Sequence, residues 1–401
     1  GYPSNTIQDL SVKFFEFTAL GLSTIALSPV QWFKITAFLA VAGVPWLLYF
    51  TGRDFFYDHD SRDRIAIGLT LLGTIYWWNS LPREMFFYGM IGFPVAAYVS
   101  IWGVSLFYRL VAESPPPGSI HLGWLLFAAV ILPLHVQALV IFLPLMMALL
   151  IIHSRQINGK LFFWMVAALA VCLLVNFAWL VPAFNHRHDD IASAIVNQLP
   201  LFASTDPFTF LIDYLGAKGY WTFRLSFVEK GFRLALLILG VLGTRELIKK
   251  DHRPVGMMLT AGLSVLFLLT YFGAFIPGLA AWQPLRFKVP LDLFLAVGAA
   301  YCVNQWLTGQ KAFRFHLVPA MIALGGLAFA LNVVQTESLG KLQLRTRMLP
   351  EITAIVDWVG RETPRDARVL FEESGDETGF VYDGTYLSAF LPHLTGRQLI
   401  G

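Results

Sequence analysis

Residues 283–297 read QPLRFKVPLDLFLAV. Two cations, Arg286 and Lys288, stand at the mouth of an apolar run. Asp292 falls two residues past Pro290, where a membrane helix should already have begun. A carboxylate inside a span costs roughly 2.5–3.5 kcal/mol on insertion scales, so it faces a partner or a wet cavity. Arg286 or Lys288, one to two turns away, is the partner this stretch offers. The run therefore reads as a membrane helix whose outer rim carries charge for a reason.

The rest of the chain agrees. Of its 401 residues 56% are hydrophobic and 14% charged, where a soluble domain carries about 25% charged residues. Apolar runs recur along nearly the whole length, which defines a polytopic, mainly α-helical membrane protein. A net charge of +3 is too small to point to nucleic acid. Cys172 and Cys302 both fall inside apolar runs and read as buried thiols rather than a disulfide. The chain starts at Gly1 without methionine or signal peptide, and it reads as an interior portion of a longer protein.

A span needs roughly 20 apolar residues. Candidates are 31–51, 65–79, 87–110, 160–183, 232–248, 255–276, 289–306 and 316–334. The run 119–153 is too long for one: about 35 residues at about 1.5 Å each is roughly 52 Å, against a core of about 30 Å. Pro133 and Pro144 can break it, and the expectation is two short helices meeting near His135. Segment 11–27 is apolar but carries Lys13 and Glu16 at its start, and reads either as a further span or as an interfacial amphipathic helix, the loop parity favouring the second. The total comes to about nine to eleven membrane helices.

Basic residues in short loops set the orientation. TRELIKKDHR (244–253), TGQKAFRF (308–315), HSRQINGK (153–160) and GRDFFYDHDSRDR (52–64) fall on one face, the cytoplasmic one by this rule. The long loop 184–231, residues 79–89 and the turn before Arg286 fall on the other. This places the chain in the cytoplasmic membrane as a multi-pass protein with an extracytoplasmic C-terminal tail.

Two domains are expected, a transmembrane domain over 1–335 and the incomplete beginning of a soluble α/β domain over 336–401. In LPEITAIVDWVGRETP (349–364), Pro350 opens a helix, Ile352, Ile355, Val356 and Val359 recur at helical spacing, and Pro364 follows the end. ARVLFEE (367–373) reads as a strand and FVYDGTY (380–386) as another.

No Walker loop, dinucleotide fingerprint, HExxH or paired CxxC occurs, so chemistry must sit at the membrane face. Arg286 offers a planar fork and Lys288 a compact charge, a pair suited to a phosphate or diphosphate at headgroup depth. The plainer reading is a snorkelling pair that anchors a helix end. Asp292 and His135 are supporting candidates. NHRHDD (185–190) places His186, His188, Asp189 and Asp190 where they can ligate a divalent ion such as Mg or Mn, although loops of this composition are usually just solvated. In loop 197–231, Phe208, Tyr214, Tyr220, Trp221 and Arg224 form either an interfacial belt or a sugar-stacking surface.

A Pro-Leu-Arg-Phe step leading into a span, many irregular helices and an external α/β tail together resemble the GT-C fold of membrane glycosyltransferases. The nearest likeness is to polytopic proteins commonly labelled 6-pyruvoyl-tetrahydropterin synthase-related membrane proteins. GYPSNTIQDL (1–10) resembles the segment closing their first external loop. ARVLFEE and YLSAFLPHLTGRQLIG (386–401) resemble the start of their external domain. The resemblance implies sugar transfer from a polyprenyl-phosphate-linked donor to an extracytoplasmic acceptor. It implies an acidic catalytic residue in the first external loop, before Gly1, with Arg286 as a donor-phosphate contact. The expected partners are the lipid-linked donor, membrane lipids and further subunits. Two other classes fit the same residues: a transporter or flippase of a lipid-linked substrate, and a non-catalytic membrane subunit.

Overall fold

A computed structural model describes residues 13–185 apart from 23, 26, 28, 80 and 88–90. It also describes 203–215, 227–309 apart from 251 and 281, 350–364, and the strand residues 368–370, 381–382, 385–386 and 398–400. The chain divides into two compact units, Gly1–Phe329 and Ala330–Gly401.

The first unit is helical throughout its described residues. Its elements are α1 (Lys13–Leu22), α2 (Pro29–Phe55), α3 (Arg62–Asn79), α4 (Leu81–Phe87), α5 (Gly92–Ala112), α6 (Gly118–Leu134), α7 (Ala138–Ile152) and α8 (Gly159–Asn185). There follow α9 (Thr209–Leu215), α10 (Phe227–Lys249), α11 (Arg253–Phe272), α12 (Pro277–Ala280) and α13 (Lys288–Gly309). Among the described residues five helical segments are long and apolar enough to cross a membrane: Gln31–Phe55, Gly92–Ala112, Gly159–Phe177, Arg253–Phe275 and Pro284–Thr308. Helices α6 and α7 are shorter and apolar. Their break falls at His135, an extended residue directly after Leu134, and Pro133 sits inside the last turn of α6. Pro144 is accommodated inside α7. Helix α1 has 10 residues, about 15 Å of rise, which is too short to span. The expected span 316–334 lies outside the described residues.

Apolar residues face both inward and outward. Helix α13 is the hub and is buried on nearly all sides, from Val289 to Ala300. Helix α8 is peripheral, with Phe162, Phe163, Leu169, Leu174 and Phe177 exposed. In water such a face would not persist; in lipid it is solvated.

The closest helix crossing is α10 on α13. A Cβ at Gly243 would lie 1.8 Å from the Gly298 carbonyl oxygen, and one at Gly298 would lie 2.4 Å from that of Gly240. Small residues let the two backbones touch, the usual device between membrane helices. Gly298→Leu is expected to lower the detergent-unfolding midpoint, at a cost of about 1–3 kcal/mol or more from overpacking. Gly231→Ala on the same helix α10 has open space around it and should change little.

The basic loops meet on one face. The imidazoles of His59 and His252 stack at 5.0 Å, Phe56 stacks on Tyr301 at 5.6 Å, and Lys250 donates to Gln305 at 3.0 Å. Arg109 joins α5 to α2 through Asp54 at 3.0 Å and also holds Glu113 at 2.6 Å. Arg53 pairs with Asp63 at 3.0 Å, so the acidic 52–64 loop is paired on its own side. Burial, then the neighbouring His252, holds the His59 pKa below its usual value. The unfolded chain therefore binds this proton at a higher pH than the folded one. Stability is expected to fall as pH drops below about 6.5. Thermal unfolding in detergent from pH 7.5 downward measures the slope, and His59→Gln should flatten it.

The second unit has helix α14 (Pro350–Glu362) and strands β1 (Arg368–Leu370), β2 (Val381–Tyr382), β3 (Thr385–Tyr386) and β4 (Gln398–Ile400). Helix α14 buries Val359 and half-buries Ile355 and Val356, the stripe that the spacing predicts. Strand β1 pairs in parallel with β4. FVYDGTY is two strands, not one: β2 and β3 pair antiparallel, with Tyr382 opposite Thr385. The Asp-Gly pair between them is the sequence that favours a two-residue hairpin connection over a continuous strand.

Candidate functional site

The face opposite the basic loops carries the polar centre of the bundle. Arg233, near the start of α10, is fully buried. Its guanidinium forks onto Asp213 of α9, with Nη2 at 2.9 Å from Oδ2 and Nη1 at 3.2 Å from Oδ1. Its Nε donates to Asp292 Oδ2 of α13 at 2.8 Å. Tyr271 donates to Asp213 Oδ2, and Tyr214 donates to Asp292 Oδ1, each at 2.8 Å. The Lys288 ammonium closes the set on Asp213 Oδ1. The Tyr214 ring lies under the guanidinium, with 4.7 Å from its centroid to Cζ.

This is a charge-balanced quartet of two carboxylates and two cations. The bidentate fork and the two phenols use most of the lone pairs, which is the condition for holding ions out of water. It binds α9 to α10, α11 and α13. A short helix from the long loop is thus pinned into the bundle by its own Asp213 and Tyr214.

This pairing differs from the one the sequence suggested. Asp292 is bonded to Arg233 and Tyr214, rather than to Arg286 or Lys288. Lys288 is buried and bonded to Asp213, so it is occupied inside the bundle. The reason is geometric. Lys288 and Asp292 are four residues apart on one helix face, and that face meets Arg233 and Asp213, which offer better-directed partners. Tyr214 belongs to neither an interfacial belt nor a stacking surface: it is a buried hydrogen-bond donor. Phe208 is exposed. Tyr220, Trp221 and Arg224 lie outside the described residues, as do His186, His188, Asp189 and Asp190. Among the described residues no cluster of three metal-ligating side chains occurs.

Arg286 sits half-buried on the turn between α11 and α13, a 3₁₀ segment over Pro284–Phe287. That turn is held on two sides. Gln137, at the α6–α7 break, donates through Nε2 to the Trp282 carbonyl at 2.9 Å. Phe287 is fully buried and meets Phe93 edge-on at 5.8 Å. Gln283 takes a left-handed backbone, φ 55 and ψ 64, which is unusual for a residue with a Cβ. Such a conformation persists only when its surroundings impose it. His135 is buried and packs edge-on against Phe93 at 5.1 Å. Its Nδ1 accepts the Gln137 backbone N–H at 3.2 Å, which leaves Nε2 as the protonated nitrogen. The side-chain oxygens of Gln137 and Gln283 are buried without a hydrogen-bond partner.

The site face therefore has two parts. One is a neutral, saturated quartet. The other is a rim with Arg286, the His135 imidazole and two acceptor oxygens. No family model matches the chain, and no curated protein matches it.

Proposed function

We propose that this chain is a GT-C-type membrane glycosyltransferase that moves a sugar from a polyprenyl-phosphate-linked donor to an acceptor beyond the site face. In this reading it lies in the cytoplasmic membrane with about nine to eleven helices, and its C-terminal α/β unit is extracytoplasmic. The observation that carries the proposal is the place of Arg286, half-buried on a constrained turn at the end of the bundle that also holds the quartet.

The chemistry matches that placement. The acceptor hydroxyl attacks the anomeric carbon, and the carbon–oxygen bond to phosphate breaks. The electron pair stays on the departing phosphate, and the acceptor's proton passes to a carboxylate. A guanidinium at the rim stabilises the charge that develops on the phosphate. The GT-C likeness assigns the carboxylate to the first external loop. A lipid donor cannot leave the bilayer, so its phosphate has to be met at the depth where Arg286 stands.

The test uses membranes containing the full chain and polyprenyl-phosphate donors carrying radiolabelled sugars. The expected result is loss of label from the lipid fraction, absent from membranes lacking the chain. Retention of all label with every donor offered, while donor lipid still binds, would favour a transporter or a non-catalytic subunit instead.

A further inference from the structure

A second site lies on the basic face, away from the polar centre. A cavity of about 460 Å³ opens between the 113–117 segment, the start of α6, the 154–158 turn and the start of α8. Its wall includes His121, Trp164, Arg155, Lys160 and Asn158, with Leu110, Val111 and Leu161 behind. Volumes of this order hold small ligands or headgroups.

Three observations give it a chemical preference. The first is charge. Glu113 at its edge is held by Arg109 through two hydrogen bonds, at 2.8 and 2.6 Å. Arg155 and Lys160 make no ion pair among the described residues and are exposed. The second is the backbone. Helices α6 and α8 both begin here, so two helix N-termini add positive potential; Asn158 caps α8 by accepting the Leu161 N–H at 2.9 Å. The third is His121, 9% exposed, with its ring against Trp164 at 4.3 Å. Its Nδ1 lies 3.2 Å from the Pro117 carbonyl oxygen, which can only accept, so Nδ1 carries a proton. Nε2 is then the acceptor of the neutral ring, and it is buried with no partner.

We infer that this cavity binds a phosphate ester bearing a free hydroxyl, the phosphate on Arg155 and Lys160 and the hydroxyl donating to His121 Nε2. Two sources share that chemistry: a hydroxylated anionic lipid headgroup and a soluble polyol phosphate. The apolar back wall continues onto exposed Phe162 and Phe163 of α8, a surface that acyl chains can follow. The site is independent of the glycosyltransferase reading.

The test uses the purified full chain and three probes: dioleoylphosphatidylglycerol, dioleoylphosphatidylmethanol (the same charge without a hydroxyl) and sn-glycerol 3-phosphate. Binding is read by native mass spectrometry. Phosphatidylglycerol or glycerol phosphate should bind. Arg155→Gln with Lys160→Gln should weaken binding about tenfold or more. His121→Phe should weaken phosphatidylglycerol and leave phosphatidylmethanol unchanged. Binding of the lipid alone assigns a leaflet headgroup, and comparable binding of glycerol phosphate assigns a soluble ester. If the double glutamine variant binds as wild type does, if neither phosphatidylglycerol nor glycerol phosphate binds, or if both lipids bind and wild type does not separate them, the inference is wrong. The glutamine substitutions are on exposed positions, so the test stands even if His121→Phe fails to fold.

Discussion

Asp292→Asn is expected to destabilise the folded bundle by about 3–5 kcal/mol, the usual cost of removing one partner from a buried ion pair. The asparagine keeps an oxygen for Tyr214 but removes a charge. Arg233 is left with Asp213, which Lys288 also needs, and the buried set carries one uncompensated positive charge. Arg233→Met should be at least as damaging, because it exposes two carboxylates to one ammonium. The double variant Arg233→Met with Asp292→Leu removes one charge of each sign and leaves Asp213 with Lys288. It is expected to recover most of the loss, since matched apolar replacements of buried pairs are often neutral. Unfolding midpoints in detergent measure all three. If Asp292→Asn unfolds with wild type, or the double variant is no better than its singles, the quartet is not a coupled unit.

The second large effect is on turnover. Arg286→Ala is expected to lower sugar transfer about 100- to 1,000-fold, the range for removing one donor from a developing oxyanion. Arg286→Lys keeps the charge but loses the planar fork, and should fall between. Both variants should keep the wild-type unfolding midpoint to within about 1 kcal/mol, because the quartet is intact in each. Wild-type rates in both would remove Arg286 from the mechanism.

Much of the frame was legible in the sequence, and for local reasons. Pro133 marks the last turn of α6, Pro350 opens α14 at the first helical position, where its missing N–H costs nothing, and Pro364 follows the helix end. The 52–64, 153–160 and 244–253 loops could be assigned to one face because basic loops recur with a consistent parity. The structure brings residues of all three near one another, through His59 with His252 and through Tyr108 of α5, which lies against both Tyr57 at 6.1 Å and His153 at 6.2 Å. The quartet was not legible, because its contacts are not local. Arg233 lies 20 residues from Asp213 and 59 from Asp292, and Lys288 lies 75 from Asp213. Nearness in sequence pointed Asp292 to Arg286 or Lys288, and the fold chose otherwise. A signal was present all the same: Asp213 is a single charge inside the apolar stretch FTFLIDYL (208–215), and such a charge in a membrane protein needs a partner. FVYDGTY was misread as one strand because only two residues of sequence separate its two paired segments.

The proposed role of Arg286, holding an anionic lipid head, can be tested apart from catalysis. The measurement is binding of polyprenyl phosphate, without a sugar, to the purified chain by native mass spectrometry. Wild type should retain it, Arg286→Ala should lose it by about tenfold or more, and the Arg155→Gln, Lys160→Gln variant should retain it. Equal binding by wild type and Arg286→Ala would contradict the account.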